Sequence, residues 1–320
     1  LRERQGILGD IVNSQPVFVG NPSVGLFRGQ TFNGSDSYDS HAQNMSRTPT
    51  VYVGSNDGML HGFNATTGET NSGVETFAYV PKTVIENGLG ELANPAYNHR
   101  YFVDGEMTVA DAYDGSDWRT ILVGSLGAGG VAKDRSATNN AIFALDVTDP
   151  GNVIFLWEKS STDIPELGVN LGKPVIAQIA DGNWSVLLGN GPNSTGGKAQ
   201  LLSIDLFSGS VKSTAMSSVS ANGLSAVRAW DNDGNGITDT VYAGDLQGNL
   251  WKVTELASLN PTVQKLFQAV DSSGNSQPIT SSPLAGRSPF TQRVWLFFGT
   301  GQYLNTSDLA DTSVQTWYGI

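Results

Sequence analysis

Cysteine is absent from all 320 residues, which excludes disulfide staples, thiolate metal sites and cysteine nucleophiles while leaving the compartment open. No window holds 18 consecutive apolar residues, so no membrane-spanning helix is expected. Positive charge is scarce: 18 Lys and Arg stand against 30 Asp and Glu, a formal charge of −12. That balance argues against nucleic acid or an anionic lipid surface as the main partner, although an acidic surface tolerates divalent cations. A secretory signal is missing too, since Leu1-Arg2-Glu3-Arg4 reads as mid-protein sequence; the expectation is a piece of something larger. What is plentiful is glycine, with 38 residues, and charged residues make up only 15%. Many short strands joined by tight turns suit that composition.

A repeat organises the chain. Val51-Tyr52-Val53-Gly54 is followed by a turn and Met59-Leu60-His61-Gly62-Phe63; the pattern returns at Ile121–Gly124 with Ala141–Asp146, at Val186–Gly189 with Leu201–Asp205, at Val241–Asp245 with Gly248–Val253, and at Val294–Gly299 with Trp317–Ile320. Each unit is a strand, a glycine-containing turn and a second strand, and flanking apolar runs supply two more strands. Four strands repeated about five times predict an all-β fold, a β-propeller of four-stranded blades. The fifth unit lacks a clear fourth strand, for which Gly6–Ile11 is the candidate that would close the ring. Two inserts interrupt the repeat: 29–47 is expected as a long polar loop, and 81–97 as a short helix or two turns of one. The whole of 1–320 reads as one domain.

One segment has a specific chemical reading: Asp231-Asn232-Asp233-Gly234-Asn235-Gly236-Ile237-Thr238-Asp239. Oxygen-bearing side chains stand at positions one, three, five and nine, glycine at six, and a β-branched residue at seven offers its carbonyl, as in an EF-hand-type calcium loop. Position twelve is Tyr242 rather than glutamate, so Asp239 becomes the bidentate candidate beside Asp231, Asp233, Asn235 and the Ile237 carbonyl. An ordinary Asp/Asn/Gly turn is the plain alternative, but a turn does not require three carboxylates in this register. Calcium is preferred to magnesium, which wants octahedral geometry and keeps its waters.

Other signals carry less. Gly127-Ala128-Gly129-Gly130-Val131-Ala132 fits a dinucleotide pattern, but Lys133–Asn140 and then a strand follow it where a helix is needed; a glycine-rich hairpin loop is the better reading. His41, His61 and His99 are scattered without ligand spacing, His61 within a strand and His99 paired with Arg100. Asp111 and Asp114 are expected in turns, and Trp157, Trp251 and Trp295 in the core. No catalytic residue is assigned.

The text Val51–Gly68 resembles the quinoprotein-like propeller repeat. Leu8–Pro16, Phe77–Pro81, His99–Gly105, Trp118–Gly124, Tyr242–Trp251 and Phe298–Leu304 are similar, in the same order, to the C-terminal domain of the PilY/PilC family of type IV pilus tip and biogenesis proteins. That resemblance implies a modified, nominally seven-bladed propeller on a protein exported to the bacterial surface. It implies pilins and the pilus machinery as partners, a role in pilus extension by opposing retraction, and adhesion through a host-surface receptor. The family's calcium loop would fall on Asp231, Asp233, Asn235, Ile237 and Asp239, with Asn235 where aspartate is frequent. A quinone-cofactor dehydrogenase on the same fold, and a scaffold for outer-membrane assembly, are the alternatives.

Overall fold

The computed structural model describes residues 8–132, 138–169 and 172–320. They build five antiparallel sheets in strict chain order. The first contains β1 (Val17–Val19), β2 (Thr50–Gly54), β3 (Leu60–Asn64) and β4 (Glu75–Tyr79); the second β5 (Met107–Tyr113), β6 (Trp118–Ser125), β7 (Ala141–Asp146) and β8 (Ile154–Ser160). The third contains β9 (Val175–Ala180), β10 (Asn183–Gly189), β11 (Gln200–Asp205) and β12 (Val211–Ala215); the fourth β13 (Leu224–Trp230), β14 (Thr240–Asp245), β15 (Asn249–Thr254) and β16 (Thr262–Gln268). The fifth has three strands, β17 (Leu284–Arg287), β18 (Val294–Gly299) and β19 (Trp317–Gly319). The first strands of successive sheets touch, β1 to β5, β5 to β9, β9 to β13 and β13 to β17, as propeller blades do around an axis.

Sheets that stack on both faces explain why the middle strands read as apolar runs instead of alternating. All six residues of β7 are buried, as are six of the seven in β10. Ile121, Ile142, Val186 and Leu202 join the tryptophans Trp118, Trp157 and Trp184 in one cluster between the second and third sheets. Each such side chain contributes about 1.5–3 kcal/mol on burial. At Gly54 and Gly189 the recurring glycine near the end of the second strand has a steric cause. A Cβ at Gly189 would lie 1.9 Å from the Ser225 carbonyl oxygen, and one at Gly54 2.4 Å from that of Val103. The next sheet's backbone occupies the space.

Several expectations change. The insert 29–47 is no plain loop: a 3₁₀ turn at Ser35–Ser37 leads into helix α1 (Tyr38–Asn44), whose Tyr38 and Ala42, one turn apart, are buried. Helix α2 (Lys82–Glu86) and a 3₁₀ turn at Leu89–Ala93 form within 81–97 as expected. Of the proposed closing strand Gly6–Ile11, the described residues 8–11 pair with no sheet edge. Asn56 N–H donates to the Asp10 carbonyl at 2.9 Å, and the following Asn13 donates to Asp104 Oδ2 at 2.6 Å, which ties this stretch to the first and second sheets instead of the fifth. Asp111 stands in β5, not in a turn, where it accepts from Tyr38 and Thr120. Trp295 points out of the fifth sheet, stacked on Phe297, while its neighbours Leu296 and Phe298 face the core.

Candidate metal centre

The oxygen-rich stretch lies between β13 and β14, and its conformation follows from its Asp, Asn and Gly residues. Gly234 and Gly236 have φ of +83° and +90°, left-handed values that glycine adopts without strain. Short side chains then cap the backbone in series. Asp231 Oδ1 accepts from Gly234 N–H at 2.7 Å and Oδ2 from Gly236 N–H at 2.8 Å. Asp233 Oδ1 accepts from Asn235 N–H at 3.2 Å, Asn235 Oδ1 from Ile237 N–H at 2.7 Å, and Asp239 Oδ2 from Asn232 N–H at 2.6 Å.

The result brings Asp231, Asp233 and Asp239 together, with one carboxylate oxygen of each inside a span of 4.8 Å. Asp233 is exposed and the other two half-buried. Ligands on opposite sides of a calcium ion with bonds of about 2.3–2.6 Å stand about 5 Å apart, so the spacing fits a single ion. The donor set is oxygen only, which suits a hard cation. A second observation concerns the surroundings. The side-chain oxygen of Gln30 is buried without a hydrogen-bond partner and lies against Gly236, where a Cβ would meet it at 2.3 Å. Asn235 stands within this arc, but its Oδ1 is engaged by Ile237 N–H. Ile237 turns its side chain into the cluster of Trp118 and Trp184.

Three neighbours grip the loop from outside. Thr238 N–H donates to the Gln178 carbonyl of β9 at 2.7 Å, Arg287 of β17 reaches the Asn232 carbonyl at 2.5 Å, and Thr31 N–H of the insert points at the Asn235 carbonyl at 3.4 Å. No sequence signal predicted the Gln30 and Arg287 contacts, because both come from segments far away along the chain.

The remaining candidates are structural. His61 is buried between Asp57 and Glu75, its Nδ1 2.6 Å from Glu75 and its Nε2 3.1 Å from Asp57. Burial acts to lower its pKa, but the two carboxylates outweigh this and raise it. His99 meets Asp10 at 2.9 Å, while Arg100 donates to the carbonyls of Val131 and Ala132. The glycines at 127–130 permit close backbone contact: a Cβ on Gly129 would lie 1.8 Å from the Phe102 carbonyl oxygen. Gly127–Gly129 is a single 3₁₀ turn, and of Lys133–Asn140, where a dinucleotide site needs a helix, 133–137 lie outside the described residues.

Five stacked sheets in chain order define a β-propeller. The chain belongs to the PilY1 β-propeller family, whose pattern, described as "PilY1 beta-propeller domain", matches residues 8–320. It is 48% identical over 322 residues to the type IV pilus biogenesis factor PilY1 homolog of Xylella fastidiosa, a match covering 100% of this chain and 25% of that protein. Identity to the type IV pilus biogenesis factor PilY1 of Pseudomonas aeruginosa is 41% over 351 residues, covering 100% of this chain and 29% of that protein. The crystal structure of the P. aeruginosa PilY1 C-terminal domain superposes with a TM-score of 0.72 at 40% identity, over 88% of this chain and 59% of that one. The chain therefore spans less than a third of the curated relatives it matches. No helix among the described residues is long and apolar enough to cross a membrane.

Proposed function

We propose that this propeller is a calcium-binding, non-catalytic module of a type IV pilus biogenesis factor displayed at the bacterial cell surface. In this reading 1–320 forms one propeller unit, and Asp231, Asp233, Asn235, the Ile237 carbonyl and Asp239 hold the ion. The observation that carries it is the convergence of three carboxylates within 4.8 Å in a loop otherwise made of short oxygen donors and left-handed glycines. Calcium supplies positive charge where these carboxylates repel one another, and so stiffens the junction of the third, fourth and fifth sheets. The surface presented to pilins, and to a host-surface receptor during attachment, is then set by occupancy. Pilus extension is supported against retraction, and twitching motility follows. A quinone dehydrogenase is the second reading, and it needs a cation-lined cavity. Lys173 and Arg228 line one of about 570 Å³ along the first strands of the second, third and fourth sheets, with Glu106 beside them. A neighbouring cavity of about 540 Å³ is instead walled by Asp104 and Glu106.

Binding to the folded form alone adds about 2.7 kcal/mol of stability at a hundredfold excess of calcium over Kd. Calorimetric titration of the purified chain is expected to give one site, and Asp239→Ala to abolish it along with the calcium-dependent rise in Tm. The same substitution in the full-length protein is expected to alter twitching. Calcium binding that survives Asp239→Ala unchanged would discard the assignment.

A further inference from the structure

The insert 29–47 is the longest excursion from the first sheet, yet it packs against a loop nearly 200 positions later. Phe32 is buried, and a Cβ on Gly236 would lie 2.7 Å from its ring. Phe32 packs edge-on against Phe27 at 5.2 Å and Trp184 at 5.8 Å; Phe27 stacks on Trp118 at 5.0 Å, and Tyr38 meets Trp118 at 4.6 Å. Ile237, the loop residue whose carbonyl is a candidate ligand, packs against this same aromatic group. The far end of the insert is held independently of the loop. Tyr38 donates to Asp111 at 2.5 Å, Trp118 Nε1 to Ser37 at 3.0 Å, and Arg47 Nη1 to Thr120 at 2.7 Å. At the near end Asn33 N–H donates to Asp181 Oδ1 at 2.6 Å, while the loop itself is met by the long Thr31–Asn235 contact and by the Gln30 side chain, whose oxygen has no partner.

We propose that residues 29–47 are the element that responds to the ion, with Gln30 and Phe32 acting as positioning residues for the loop. The inference rests on the calcium reading above. An ion held by Asp231, Asp233 and Asp239 restrains Gly236 and Ile237, and these press on Gln30 and Phe32. Phe32 passes the restraint to Phe27, Trp118 and Tyr38, and so to helix α1. Without the ion, repulsion among the carboxylates loosens the same contacts and leaves the insert tethered through Asn33 to Asp181 and at its Ser37–Arg47 end. The unpartnered Gln30 oxygen is the polar counterpart: a carbonyl beside the loop favours a nearby cation or a water bound to it.

Hydrogen exchange with calcium and with chelator tests this. Calcium is expected to slow amide exchange several-fold in residues 30–44 as well as in 231–239. Gln30→Leu is expected to weaken calcium affinity several-fold with no change in Tm under chelator, and Gln30→Glu to restore it. Protection confined to 231–239 on bound calcium, or an affinity untouched by Gln30→Leu, overturns the inference and leaves the calcium site standing. A chain that takes up no calcium at all overturns both.

Discussion

Turns on both sides of β14 are rich in acidic and amide side chains, yet they are chemical opposites. The turn from Asp245 to Asn249 is closed. Asp245 is fully buried and accepts from Asn222 Nδ2 at 3.0 Å, Gln247 N–H at 2.9 Å, Asn249 N–H at 2.8 Å and Trp251 Nε1 at 2.8 Å. No lone pair is left for an ion. The loop 231–239 is open: its carboxylates accept mostly from backbone amides of the loop itself, and they crowd one another. The first sheet shows a third version. There His61 occupies the place that Trp251 holds in the fourth sheet, and its Nε2 meets Asp57 of the preceding turn. Carboxylate count alone therefore does not distinguish these turns; what differs is whether side-chain donors from other elements or only the loop's own groups meet the carboxylates.

The sharpest way to break this comparison is to delete one carboxylate of each kind. Asp245→Ala leaves the buried Asn222 and Trp251 donors, and the half-buried Asn249, without an acceptor, at about 1–3 kcal/mol for each buried donor. A loss of about 3–5 kcal/mol is expected in urea unfolding, the same with calcium and with chelator. Asp231→Ala, in the open loop, is expected to cost no more than about 1 kcal/mol under chelator, the scale of a turn-capping contact. Its larger effect is to remove the stabilisation by calcium. Equal losses for the two variants under chelator would end the distinction between closed and open turns.

The first sheet offers an intermediate effect, because its closed turn contains a titrating group. Both ring nitrogens of His61 face carboxylates, so both can donate only from the imidazolium. Its folded pKa is raised above the ordinary value of 6.5. The contribution is thus complete below about 6.5 and is lost as pH climbs through the folded pKa. Unfolding free energy is expected to fall over that window, and His61→Gln to flatten the slope. A pH profile identical in the variant would show that the His61 site behaves like the Trp251 site.

How much of this was legible in the sequence depends on distance along the chain. The hairpins are local, and their glycine, apolar run and turn spacing place the middle strands of all five sheets. The candidate ligands are also local, nine consecutive residues of which Asp231, Asp233 and Asp239 lie together in the structure. Contacts between distant segments were not legible. Helix α1 has no long amphipathic period to announce it; two residues, Tyr38 and Ala42, hold its buried face. Gln30 and Arg287 approach the loop only because sheet stacking brings the insert and β17 to it. Trp295 looks like core in any strand pattern, since alternation identifies two faces without saying which one is covered.

The smallest expected effect probes the open loop from within. Asn235 stands at the fifth loop position with its Oδ1 accepting from Ile237 N–H. Asn235→Asp keeps an oxygen there and adds a charge beside Asp231, Asp233 and Asp239. Repulsion in the empty loop then rises by about 0.5 kcal/mol, the scale of an exposed charge pair. The fourth negative charge also strengthens attraction to the ion. Both changes act in the same direction on affinity, so calorimetry is expected to show binding roughly threefold tighter, about 0.7 kcal/mol, with Tm lowered slightly under chelator and raised under calcium. In a closed turn an added carboxylate would lower Tm under both conditions. A substitution that destabilises the chain equally with and without calcium would place 231–239 among the closed turns, whatever its resemblance to a calcium loop.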